Sequence, residues 1–144
     1  MKIADLIATR REIFSVSEDA TVHETARYLR DHQVRSVGVL DGQGMLVGVV
    51  SQSDISDKTA AENKCPAWMR VSEIMTRQLV TVTPETPVED CLRLMEQNGI
   101  YHLLVLGGEA GFQGMISITD LLQLFASDQK ARADMLEAFI FPQR

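Results

Sequence analysis

The sequence predicts an α/β fold in which two tandem β-α-β-β-α repeats pack with pseudo-twofold symmetry, followed by a C-terminal helix. Three observations predict this fold: an internal duplication, the alternation of short β-type runs with amphipathic helical patterns, and a composition typical of globular chains. The 144 residues are 45% hydrophobic and 24% charged, as in ordinary folded domains. A single unit of about fifty residues buries little surface, so we expect the two copies to share an interface.

The duplication is gapless over residues 13–55 and 79–121, at an offset of 66 residues that places Asp54 on Asp120. The stretch GVVSQSDI, which begins at Gly48, returns as GMISITDL from Gly114. Glycine, serine and aspartate keep their places in both copies, which chance rarely produces in a gapless register. The start repeats as well, since IADLI at residues 3–7 resembles VSEIM at residues 71–75.

Each copy has the same order of predicted elements. The first strands are branched runs at residues 13–16 and 79–82. Amphipathic helices then open near Asp19 and Thr21, or Glu85 and Thr86, and Asn98–Gly99 ends the second one. The hairpin strands follow at residues 36–40, 45–51, 102–106 and 112–118. A last helix starts near Ser53 or Thr119.

These elements divide the chain into a first repeat at 1–60, a linker at 61–70, a second repeat at 71–125 and a C-terminal helix at 126–144. The first half of the segment 57–68 is expected to continue the helix of the first copy. In the tail, apolar residues stand at helical spacing behind Ser127. Such a helix needs a cover, from the same subunit or from a second one.

The charge of the chain excludes some classes of function. A net charge of −6 argues against nonspecific nucleic-acid binding, which depends on basic residues. A local site can still be positive within an acidic protein, so small anionic ligands stay open. We expect no membrane span and no signal peptide. Cys65 and Cys91 form no CxxC motif and are expected to be reduced, which favours a cytoplasmic protein.

The duplicated unit ending in G-h-h-S-x-S/T-D-h, where h is apolar, resembles the CBS domain, named after cystathionine β-synthase. The resemblance covers residues 3–125, and the run from Val71 to Leu106 is especially typical. It implies a tandem pair, or Bateman module, similar to small stand-alone bacterial members. It also implies regulatory binding of AMP, ADP, ATP, NAD or S-adenosylmethionine in clefts between the repeats, no obligatory cofactor, and a homodimer that signals to a protein partner.

The repeated Ser-x-x-Asp allows two interpretations. In the first, Asp54 and Asp120 accept both hydroxyls of a ribose through charge-assisted hydrogen bonds, and hydroxyls at the following helix start bind phosphate with its free N–H groups. Those hydroxyls belong to Ser51, Ser53, Ser117 and Thr119. In the second, Ser51 and Ser117 only cap the helices, with the aspartates completing a capping box. The two interpretations are compatible.

An adenine would need a flat apolar slot with backbone hydrogen bonds, which the middle strands could supply over Val37–Leu40 and Leu103–Leu106; Val37, Gly38 and Leu103 are the candidate residues of this slot. His102 comes directly before the second middle strand, where relatives place a basic residue that contacts phosphate. It also fits a partly buried histidine of the strand. The proline that many relatives have before the middle strand and the arginine often found ahead of the aspartate are missing. Phosphate charge would then fall to His102 or to a further cation: Arg35, Lys58 or Arg77.

Three functions from different classes were weighed. The first is an adenine-nucleotide-sensing regulatory module, and the second is a structural dimerisation module with vestigial clefts. An enzyme is disfavoured because no nucleophile–base pair, P-loop or metal-ligand spacing is present in the sequence. Because the second copy carries more polar groups, we expect the cleft of Asp120 to bind better than that of Asp54.

Overall fold

Two small sheets, one from each repeat, form the framework. The computed structural model describes residues 3–8, 13–108, 111–124 and 137. In each sheet, the first strand of the repeat pairs in parallel with the second, which pairs antiparallel with the third. This confirms the predicted α/β fold of two pseudo-twofold repeats. The predicted C-terminal helix at 126–144 lies outside the described residues apart from residue 137.

The strands and helices are numbered in chain order. The strands are β1 (Ser15–Ser17), β2 (Ser36–Leu40), β3 (Leu46–Ser51), β4 (Thr81–Val82), β5 (His102–Gly107) and β6 (Gly111–Ser117). The helices are α1 (Ile3–Ile7), α2 (Val22–His32), α3 (Gln52–Ile55), α4 (Val88–Asn98) and α5 (Ile118–Leu124). A π-helical turn, Ser56–Ala60, extends α3 as expected, and 3-10 turns cover Pro66–Trp68 and Val71–Glu73.

Several predicted boundaries were wrong by one or two residues. Strands β1 and β4 each begin two residues later than their branched runs. Thr21 caps α2 through a full capping box with Glu24, but α4 has Pro87 at its N-cap. Thr86 instead accepts a hydrogen bond from the backbone N–H of Thr83. Gly99 ends α4 in the left-handed conformation, at φ 62°, which glycine adopts without steric cost.

Each repeat's hydrophobic core is completed by the first segment of the other repeat. Ile3 of α1 is buried in the second core beside Val105 and Ile116. In the opposite direction, Val71 and Ile74 from the start of the second repeat are buried in the first core. Burying each such side chain contributes about 1.5–3 kcal/mol. The two repeats therefore depend on each other for their packing.

Backbone hydrogen bonds fix this exchange in symmetric pairs. The N–H of Val71 donates to the carbonyl of Ala20 at 2.8 Å, and the N–H of Ile3 donates to the carbonyl of Thr86 at 3.4 Å. Ala20 and Thr86 are equivalent positions of the duplication, so one interaction is formed twice. A short antiparallel bridge between Val49 and Thr76 adds a further connection to the first sheet.

The bridge at Thr76 explains the glycine at position 48. A Cβ placed on Gly48 would lie 2.5 Å from Sδ of Met75 and 3.1 Å from the carbonyl oxygen of Thr76. The crossing segment can approach β3 only because residue 48 has no side chain. The close approach that this glycine permits is therefore made by the neighbouring segment of the chain.

We predict that Gly48→Ala lowers the free energy of unfolding by about 1–3 kcal/mol, because the added methyl overpacks the crossing segment. Gly42→Ala is the matched control, since nothing lies within 4 Å of a Cβ at that position. Urea unfolding of both variants measures the difference. Equal effects of the two substitutions would contradict this account of the glycine.

Candidate ligand-binding site

Two clefts lie between the repeats and are related by the internal duplication. Each combines the Ser-x-x-Asp end of one repeat's third strand with the residues before the second strand of the other repeat. We call them the Asp120 cleft and the Asp54 cleft after the carboxylate that lines each one. The pseudo-twofold symmetry therefore places both candidate carboxylates at equivalent boundaries between the repeats.

The Asp120 cleft has a volume of about 650 Å³, within the range of small-molecule sites. Its first wall comes from repeat one and its second from repeat two. The lining residues are Ile13, Phe14, Val34, Arg35, Ser36, His102, Gly114, Met115, Ile116, Ser117 and Asp120. This cleft brings a carboxylate, two hydroxyls, a guanidinium and an imidazole to one largely apolar hollow.

The Asp54 cleft is smaller, about 290 Å³. It is lined by Ser36, Val49, Ser51, Asp54, Thr76, Gln78, Val80, Ile100, Tyr101, His102, Leu104 and Met115. Tyr101 stands at the position that Arg35 occupies in the other cleft. Its one basic lining side chain within the described residues is His102, which it shares with the Asp120 cleft.

Both Ser-x-x-Asp motifs form complete capping boxes. Oγ of Ser51 accepts from the N–H of Asp54 at 3.1 Å, and Oδ2 of Asp54 accepts from the N–H of Ser51 at 3.0 Å. Ser117 and Asp120 repeat this geometry at 3.1 and 2.8 Å. Capping is therefore one function of the repeated motif. It also fixes each carboxylate at the edge of its cleft.

The electrostatics of His102 tie it to the Asp120 cleft. His102 lies opposite Ser117 in the sheet and keeps much of its surface in solvent. The walls around the ring still remove enough water to lower its pKa below the ordinary 6.5. Asp120 opposes this shift and Arg35 reinforces it. Both charged groups of the cleft therefore influence the pKa of the imidazole.

The three candidate residues of the adenine slot lie outside the clefts. The side chains of Val37 and Leu103 are buried in the first and second cores. Gly38 faces the ring of Phe112, whose atoms lie 2.7 Å from a Cβ built there. Leu104, from the same predicted slot, does line the Asp54 cleft. Ser53 and Thr119 are exposed and are also absent from the cleft walls.

The other candidate cations lie in different environments. Lys58 donates to the carbonyl of Ile74 at 2.9 Å and lies 3.6 Å from Asp54. Arg77 donates to the carbonyl of Ser72 and lines neither cleft. Of the cations named from the sequence, only Arg35 and His102 therefore line the Asp120 cleft.

The wall residues that sequence reasoning missed include Phe14, Tyr101 and Met115. All three immediately precede or lie within predicted strands. Which residues of the two repeats contact each other was not predicted, so the sequence could not show that these residues lie near the Ser-x-x-Asp motifs. Met115 lines both clefts, and its Sδ lies 3.9 Å from Oγ of Ser36 across the repeat boundary. The duplication could have indicated Tyr101, because it aligns with Arg35.

The described residues also bear on metal binding, membrane insertion and cysteine reactivity. Across the described ranges, no three histidine, cysteine or acidic side chains are grouped to hold a metal ion. The helices described there are all too short or too polar to cross a lipid bilayer. Cys65 is exposed, whereas Cys91 is fully buried on α4. Burial, aided by the carboxylates of Asp90 and Glu89, raises the pKa of the Cys91 thiol from 9.0 to about 11, which suits a packing role.

We predict that an aromatic disulfide reagent at pH 8 labels one thiol per folded chain and two thiols per chain in denaturant. Cys65 reacts because it is exposed, and Cys91 is both inaccessible and almost wholly protonated. Release of the coloured thiol measures the count, and Cys65→Ser provides the control. Rapid labelling of the folded Cys65→Ser variant would show that Cys91 is reactive after all.

Known proteins match both repeats. A profile of the CBS domain matches residues 3–60 and 71–127. An uncharacterized 17.7 kDa protein of Acidianus ambivalens is 31% identical over 120 residues, which cover 83% of this chain and 70% of the relative. Other relatives are longer, and the chain spans 61%, 59% and 17% of three of them.

Solved structures share the fold. A protein with CBS domains from Burkholderia ambifaria superposes with a TM-score of 0.80 at 27% identity, covering 90% of this chain and 96% of its own. The CBS domain pair of protein MJ0100 was solved with 5′-methylthioadenosine and S-adenosyl-L-methionine. It has a TM-score of 0.76 at 25% identity, covering 88% of this chain and all of its own.

Proposed function

The chain belongs to the CBS domain family, and from this premise we propose that it is a regulatory module that binds an adenine nucleotide between its two repeats. Occupancy of the clefts would be read by a partner. The observation that carries the proposal is the Asp120 cleft, where a carboxylate, a guanidinium and an imidazole line one cavity of about 650 Å³. We propose no catalytic step.

The polar groups of this cleft suit the parts of a nucleotide. Asp120 is fixed at the edge, where a carboxylate can accept hydrogen bonds from two adjacent ribose hydroxyls. Arg35 and His102 supply donors and positive charge for phosphate oxygens. Ile13, Phe14 and Val34 supply the apolar wall that a base requires. Val37, Gly38 and Leu103 would act indirectly, as the strand framework behind that wall.

The comparison with protein MJ0100 supports an adenosine compound. Its two ligands, 5′-methylthioadenosine and S-adenosyl-L-methionine, share the adenosyl group and differ in charge. The ribose and base are thus the parts common to both. For this chain we choose a phosphorylated ligand, AMP, ADP, ATP or NAD, because Arg35 and His102 line the larger cleft.

Signalling requires that the ligand bind one arrangement of the repeats more tightly than another. The clefts lie at the boundary between the repeats, so a ligand contacts both and can favour one arrangement. We propose that two copies associate and that a protein partner reads this state. Light scattering with and without AMP would measure the first step, and a monomer under both conditions would contradict the association.

A structural dimerisation module is the second candidate, and one observation favours it for the smaller cleft. Asp54 accepts from Ser51 and also lies 3.6 Å from the ammonium group of Lys58. The ammonium group of Lys58 would therefore compete with a ligand for the Asp54 carboxylate, and the Asp54 cleft is also the smaller of the two. Both features would make the Asp54 cleft the weaker or vestigial one.

We predict that Asp120→Asn weakens AMP binding about tenfold, because the amide keeps an acceptor for the cap but loses the charge. Asp54→Asn should have a smaller effect. Calorimetry measures both, and thermal shifts of wild type with AMP, ATP, NAD and S-adenosylmethionine identify the ligand. Saturation at a hundredfold the dissociation constant stabilises by about 2.7 kcal/mol.

Ser117→Ala is the control for capping. It should lower the free energy of unfolding by about 1 kcal/mol while the Asp120 carboxylate remains. Equal losses of binding in the two asparagine variants, or the opposite ranking, would contradict the assignment of the stronger cleft. If no adenine compound stabilises the wild type, the sensing function fails and the dimerisation module stands.

His102 predicts a pH dependence. Its lowered pKa leaves the imidazole neutral above pH 6.5 in the folded protein, so the unligated state loses stability as the pH falls through 6.5, where the unfolded chain binds the proton first. A bound phosphate favours the imidazolium and thus couples binding to proton uptake. AMP affinity relative to the His102→Gln variant should therefore rise as the pH falls from 8 to 6.

Comparing wild type with His102→Gln cancels the titration of the phosphate itself. Adenosine, which carries no phosphate, should show no such difference between the two proteins. Calorimetric titrations at three pH values measure the effect. Parallel pH profiles for AMP in both proteins would exclude His102 from phosphate binding.

A further inference from the structure

The two clefts differ at one equivalent wall position. Phe14 lines the Asp120 cleft, and its counterpart in the duplication, Val80, lines the Asp54 cleft. A phenylalanine ring offers a flat π face on which a planar base can stack, whereas valine offers only a small branched surface. The difference between the clefts thus concerns the base of a nucleotide, which the charged groups do not contact.

The ring of Phe14 is held by two further aromatic side chains. Tyr28 contacts it edge-on, with centroids 6.4 Å apart and an interplanar angle of 76°. His32 lies 4.9 Å from Phe14 and 4.2 Å from Tyr28. The hydroxyl of Tyr28 accepts from the N–H of Ser15 at 3.3 Å, which ties the cluster to β1.

This cluster belongs to the first repeat alone. The positions equivalent to Tyr28 and His32 are Leu94 and Asn98, beside Val80. Neither replacement is aromatic, so nothing comparable supports a ring at position 80. The aromatic side chain that lines the Asp54 cleft, Tyr101, stands instead at the position of Arg35. The two clefts therefore share a carboxylate but differ in whether this wall position carries a supported ring.

We propose that Phe14 makes the Asp120 cleft selective for ligands with a planar aromatic base, and that Tyr28 is a positioning residue that holds its ring. The Asp54 cleft has Val80 at this position and offers no ring there. This inference rests on the proposed nucleotide-binding function and adds to it the ligand feature that distinguishes the two clefts.

The experiment compares two probes that share a ribose and a phosphate, namely AMP and ribose 5-phosphate. Competition calorimetry in an Asp54→Asn background confines the measurement to the Asp120 cleft. Phe14→Val, which copies the other cleft, should weaken AMP binding about tenfold and leave ribose 5-phosphate within twofold. Phe14→Tyr, which keeps a ring, should retain the preference for AMP.

Two variants separate stacking from folding. Tyr28→Leu, which copies the second repeat and leaves Phe14 in place, should lower the ratio of AMP to ribose 5-phosphate affinity. Val80→Phe, on the other side, should leave that ratio unchanged. Urea unfolding measures the stability of each variant. Affinities are compared only where the variant is fully folded, so a change in their ratio does not reflect a loss of stability.

The failures are distinguishable. If the wild type binds AMP and Phe14→Val binds it within twofold of wild type, the inference is wrong and the nucleotide site stands. Equal weakening of AMP and ribose 5-phosphate would also overturn it, because a base-reading wall acts on AMP alone. If the wild type binds neither probe, the proposed function itself is overturned and this inference with it.

Discussion

The exchange of leading segments between the repeats is the constraint on which the rest of the structure depends. Val71 pairs with Ala20, and Ile3 with Thr86, through equivalent backbone hydrogen bonds. Because each core receives an apolar side chain from the first segment of the other repeat, neither repeat can bury its core alone. The same crossing brings the third strand of one repeat against the second-strand entrance of the other. Both clefts exist only because the exchange holds the repeats face to face.

The Ser-x-x-Asp motif has a structural function that a ligand can share but does not replace. The serine hydroxyl accepts a hydrogen bond from a backbone N–H at the helix start, and the aspartate accepts one from the serine N–H. A carboxylate has more than one acceptor site, so capping leaves it capacity for a ligand. The interactions that stabilise the helix also hold the carboxylate at a fixed place. Replacing either aspartate by alanine therefore changes stability and binding together, and only the isosteric asparagine separates them.

Local patterns in the sequence predicted much of the fold, because strands and caps depend on neighbouring residues. The β2 strand at Ser36–Leu40 and the end of α4 at Gly99 agree with the pattern. The exchange of Ile3 was not predictable, because helical spacing says which face of α1 is apolar and not which core it enters. For the same reason Val37 and Leu103, chosen on the strands of the expected slot, turned out to face the cores. The carboxylates, by contrast, stand beside the clefts because the capping geometry fixes them locally.

The two clefts share part of their walls and are therefore not independent of each other. Ser36, Met115 and His102 line both of them, and Ser36 contacts Met115 across the repeat boundary. A ligand that moves one of these side chains in the larger cleft changes the wall of the smaller one. Thermodynamic reciprocity then requires that occupancy of the smaller cleft change affinity in the larger by the same factor. Among the described residues, His102 is the one imidazole that lines both clefts. Two anions bound in the two clefts would therefore compete for the same imidazolium. The shared wall is thus the physical element through which one repeat can report the state of its partner.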